Sequence, residues 1–125
     1  MNVINSYGIV PSIIDAAGFY VGNYGVHKLA PSIPKANAMH TIIFGISDLI
    51  VRNGMVTMWK ANTFFNGEVG RNAYIGVIAT VFNTIADVVK DKELGNALTN
   101  NLINAAVGVA TNSILDKFVV PESYA

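Results

Sequence analysis

Residues 72–92 read NAYIGVIATVFNTIADVVKDK, and the reading of this stretch decides the fold. Ile75, Ile78, Phe82, Ile85 and Val89 recur at three- and four-residue spacing, the period of an α-helix, and strong charge enters only at the end. A β-rich reading is the alternative, because Ile and Val are abundant and glycines interrupt the apolar runs. The period-2 alternation of a half-buried strand is absent, so the spacing predicts a helix over about 72–92. Thr80, Asn83, Thr84, Asp87 and Asp91 line one stripe of that helix, while Tyr74, Ile75, Val77, Ile78, Val81, Phe82 and Val88 cover the remaining surface. The polar face is the narrow one, the inverse of a helix on a soluble surface.

Working outward, three more apolar stretches of helical length appear. One is predicted over about 12–29, after Pro11 and before the connector Pro31-Ser32-Ile33-Pro34. A second covers about 34–59, interrupted by Gly45 and by the turn-type pair Asn53-Gly54, and a polar loop from Lys60 to Asn72 follows. The last covers about 97–119, with Gly95-Asn96 stopping its predecessor, Asn96 as its cap and Pro121 beyond its end. Each repeats the narrow polar stripe. The first has Ser12, Asp15, Gly22 and Asn23 beside Gly18; the second has Thr41, Gly45, Asp48 and Arg52; the last has Asn101, Asn104, Gly108, Asn112 and Asp116. The fold class expected is all-α, a single domain over 1–125 with the helices in an up-down bundle.

Composition narrows the setting. Charged residues make up 13% of the chain and hydrophobic ones 52%, against about 25% charged in a typical soluble domain, so there is little charge to cover a soluble surface. Net charge is zero and the basic residues are scattered, which excludes nucleic acid as a partner. The absence of cysteine removes disulfides, thiolate metal sites and cysteine nucleophiles. Met1 to Val10 lack a basic segment followed by a long apolar run, so the chain is expected to be used as translated.

Two surroundings suit helices that are apolar around most of their girth. In a bilayer, lipid meets the broad face while small and polar residues turn inward and join helix to helix. In water, neighbouring subunits cover the broad face. Gly18 and Gly22 form a GxxxG pair suited to close helix packing. Insertion has a cost: a central Asp opposes it by about 2.5–3.5 kcal/mol, while each Leu, Ile, Phe or Val favours it by only about 0.3–0.6. The helices would therefore have to insert cooperatively. Aromatic residues, with Phe19, Tyr20 and Tyr24 in one group, Trp59, Phe64 and Phe65 in another, and Tyr74, lie toward segment ends as an interfacial belt would, or as core residues do. Lysines and arginines divide almost evenly between the two sides, so charge sets no orientation.

Four times a small residue, an isoleucine, any residue and an aspartate follow one another: Ser12 to Asp15, Gly45 to Asp48, Thr84 to Asp87, and Ser113 to Asp116. Ser12 and Asp15 fit a capping box. Asp48 and Arg52 stand at i,i+4, the spacing of a structural ion pair, either inside the bundle or solvated on its surface. His40, two turns earlier, extends a conceivable His/Asp/Arg line. In an up-down bundle Asp15 and Asp116 are expected near one end, Asp87 near the other, and Asp48 alone in the interior, which makes Asp48→Ala the most damaging of the four alanine changes.

Catalytic, cofactor and metal sites find no residue pattern here. His27 and His40 are the two histidines, without metal-ligand spacing, and no serine carries a triad signature. The function expected is non-enzymatic: a structural membrane protein whose partners are the bilayer, itself or other structural proteins, as in virion membrane components. A soluble four-helix module that oligomerises and a holin-like pore lined by the polar stripes are the rival readings.

Overall fold

The computed structural model describes residues 9–54 and 67–118, with side chains described through 9–54 and 70–115. Among these residues the secondary structure is helical, without strands: α1 (Ile9–Leu29), α2 (Ala38–Gly54), α3 (Gly67–Val89) and α4 (Leu94–Phe118).

Local chemistry sets the helix ends. Pro11 lies in the first described turn of α1, and Ser12 is already inside the helix rather than at its cap. The expected capping box is therefore not formed; Ser12 Oγ instead donates to Asp48 Oδ1 across to α2 at 2.8 Å. The box appears at α2: Asn37 Oδ1 accepts from the His40 N–H at 2.9 Å, and His40 Nδ1 faces the Asn37 N–H at 3.5 Å. α2 thus begins at Ala38, not at Pro34, and residues 55–59 lie outside the described ones. α3 starts earlier than expected, at Gly67, because Arg71, Ile75 and Ala79 continue one buried row backwards into the supposed loop. It also stops earlier. Asp91 takes the left-handed conformation (φ 68°), its N–H donates to Val88 O, and the Lys92 N–H donates to Asp87 O, a Schellman end built on aspartate instead of glycine. α4 then starts at Leu94, so Gly95 and Asn96 fall in its first turn rather than before it.

The helices form a ring in which α1 lies beside α2 and α4, and α3 beside the same two. Cross-helix pairs show neighbours to be antiparallel: Ser12 meets Asp48 and Asn23 meets the Asn104 carbonyl, while His40 meets Asp87 and Asn72 meets Ser113. One end of the ring therefore gathers the starts of α1 and α3 with the ends of α2 and α4. The other gathers the reverse set.

Between the ends lies an apolar plug. Phe19 and Phe44 stack with ring centroids 4.5 Å apart, joined in the core by Val51, Ile75 and Ala79. Phe19 therefore belongs to the core and not to an interfacial belt. Gly108 leaves it room: a Cβ there would stand 2.6 Å from Phe19 Cδ2.

Candidate functional site: two polar layers inside the bundle

The described side chains on the narrow stripes point inward within the helices; Asp91, expected on the α3 stripe, lies beyond the end of that helix and is exposed. Ser12, Asp15, Asn23, His40, Ser47, Asp48, Arg52, Thr80, Asn83, Thr84, Asp87, Asn101, Asn104 and Asn112 are all buried, whereas Ile13, Ile42, Val77, Leu102 and Ile114 are each about three-fifths exposed. Thr41, on the same stripe, turns back to its own helix and donates to Asn37 O. Polar groups are costly to bury unless hydrogen-bonded, so the inward polar residues have to be organised, and they form two layers on either side of the phenylalanine plug.

The first layer centres on Arg52. Its Nη2 donates to Asp15 Oδ2 at 2.8 Å and its Nε donates to Asp48 Oδ1. Both aspartates are fully buried. Asn112 donates to the backbone carbonyl of Asp15 at 3.0 Å, and Asn72 to Ser113 Oγ at 3.2 Å. Two placements differ from those read in the sequence. Asp15 does not mark a solvated helix end, and Asp48 is not alone in the interior, because one guanidinium joins the two carboxylates in one layer. Arg71, placed by its sequence in a polar loop, is buried at 1% exposure.

The second layer centres on Asp87. His40 Nε2 lies 3.0 Å from both carboxylate oxygens, and Asn101 Nδ2 donates to Oδ2 at 3.0 Å and to Thr84 Oγ1 at 3.3 Å. Asp87 thus sits near a helix end, but buried and bonded. His40 pairs with it, 47 residues away, and not with Asp48 on its own helix. The pair is invisible to a reading along α2 alone. Its only sequence signal is that both residues lie on inward stripes at ends that an up-down ring brings together. Asn23 and Asn83 complete the layer, donating to the carbonyls of Asn104 and His40.

The Gly18/Gly22 pair faces α4. A Cβ at Gly18 would collide with the Asn112 and Leu115 side chains, and one at Gly22 with that of Thr111, so these glycines let α4 side chains pack directly on the α1 backbone. Trp59, Phe64 and Phe65 lie outside the described residues, as does the side chain of Asp116. Among the described residues no three His, Cys, Asp or Glu side chains gather as a transition-metal site requires. No family model, curated protein or solved structure matches this chain.

Proposed function

We propose that the chain is a membrane-embedded structural protein whose four helices insert as a unit, with lipid on their outer faces and polar layers holding them together within. One observation carries this reading. Among the residues whose side chains are described, 9–54 and 70–115, the exposed Asp, Glu, Lys and Arg are Lys28, Lys35, Lys90, Asp91, Lys92 and Glu93; these lie at the end where α1 and α3 finish and α2 and α4 begin, and none lies on the helix flanks described. From Ile9 to His27 the charge-free flank of α1 is about 28 Å long at 1.5 Å per residue, close to the ~30 Å of a hydrocarbon core. Tyr24 supports the assignment of an interface at that end: it is exposed, and the Lys28 and Lys35 ammonium groups lie 5.4 and 5.9 Å from its ring centre.

Among the described residues only α3 contains a span long and apolar enough to cross a membrane, Gly70–Val89, with mean hydropathy 1.4. That favours a second reading, a soluble module whose outer faces are covered by copies of itself. Composition averages around a helix, however, while lipid meets only one side of it. The inward Asn and Asp lower the averages of α1 and α4 without touching the outer face, whereas α2, at 17 described residues, is short as well. A pore through a single ring has less support, since Phe19, Phe44 and Ile75 fill the interior between the polar layers.

The role is structural, in a lipid layer of which a virion membrane is one setting. Alkaline carbonate extraction of expressing membranes tests it. Retention in the pellet, and a need for detergent to remain monodisperse, are expected; release to the supernatant as a monodisperse oligomer selects the soluble module.

A further inference from the structure

We propose that the Asp87 layer is a binding site for a monovalent alkali cation. The side-chain oxygens of Asn23, Asn83 and Asn104 are buried and accept no hydrogen bond among the described residues, and their residues are 0%, 3% and 2% exposed. Hydrogen bonds place their residues within about one helical turn of each other along the ring. Asn23 on α1 bonds the Asn104 carbonyl on α4; one turn before Asn104, Asn101 bonds Asp87 on α3; one turn before Asp87, Asn83 bonds the carbonyl of His40 on α2. Each of the four helices thus contributes to one layer that is rich in acceptor oxygens.

Charge selects the ligand. The group facing His40 Nδ1 is the Asn37 N–H, a donor, so the imidazole proton belongs on Nε2, where it is given to Asp87. Arg52 lies in the other layer, beyond the phenylalanine plug. Asp87 is a buried carboxylate whose described partners are the His40 and Asn101 donors. Water would satisfy the amide oxygens but makes no use of the carboxylate beside them. A cation satisfies both. Carboxylate and amide oxygens are hard ligands, and one negative charge matches an alkali ion better than a divalent one.

The test is the thermal midpoint of the purified full chain, in the medium that keeps it monodisperse, titrated with NaCl, KCl or choline chloride at constant ionic strength. A saturable rise of about 5 °C or more in an alkali chloride over choline is expected once the ion exceeds its dissociation constant. Asp87→Asn, and Asn104→Ser as a milder change that keeps the fold if the first does not, are expected to abolish that difference. Identical midpoints in the three salts overturn the proposal and assign the oxygens to buried water. An alkali-specific rise that persists undiminished in a folded Asn104→Ser or Asp87→Asn protein overturns the assignment to this layer.

Discussion

Arg52 holds the first layer together, and its removal has a predictable cost. Deleting one partner of a buried ion pair leaves uncompensated charge, which costs about 3–5 kcal/mol. Arg52→Ala strands two carboxylates, so it is expected to destabilise more than Asp15→Asn or Asp48→Asn, as read by chemical or thermal unfolding in the solubilising medium. The two aspartate variants are expected to lose similar stability, since both carboxylates are fully buried against the same guanidinium. A large loss for Asp48→Asn alone would show that Arg52 does not bridge them. The i,i+4 spacing of Asp48 and Arg52 was legible along the chain because it needs only one helix. The third member was not, because Asp15 reaches Arg52 only after α1 packs on α2.

At the scale of the element, glycines and caps give opposite expectations. Gly108→Ala would place a methyl against Phe19 and is expected to cost about 1–3 kcal/mol as an overpacked core does. Gly25→Ala meets open space within α1 and is expected to stabilise, by about 0.5–1 kcal/mol. Asp91→Gly relieves a left-handed residue at the end of α3 and is expected to raise the thermal midpoint as well. Unchanged midpoints for all three variants would contradict the α1–α4 approach and the α3 cap described above. Helix type was readable from the period of the apolar residues. Boundaries were less so: Asn37 and Asp91 act as caps through side-chain and backbone geometry that no apolar pattern marks.

For the whole molecule, the inverted distribution of polarity is the property to test. Val77, 60% exposed on the flank of α3, touches whatever surrounds the ring. A lysine near the centre of a membrane span opposes insertion by about 2.5–3.5 kcal/mol. Val77→Lys is therefore expected to reduce the carbonate-resistant fraction sharply, whereas Thr41→Val, a change to a half-buried residue bonded within its own helix, leaves it intact. If Val77→Lys stays fully membrane-bound and only changes oligomeric state, protein rather than lipid covers that face.

The amino-acid sequence by itself determined that the chain is helical and that each helix carries a narrow polar stripe opposite a broad apolar one, because periodicity is a property of one element at a time. It also placed the four stripes so that an antiparallel ring turns them to a common interior. Tertiary structure alone decided the partners: Asp15 with Arg52, His40 with Asp87, Asn23 with the Asn104 backbone. Those pairings depend on the axial offset between helices, which close contacts such as Gly18 on Asn112 and Phe19 on Gly108 set to within a residue. A shift of one turn along any helix would leave the same stripes facing inward and exchange every partner in them.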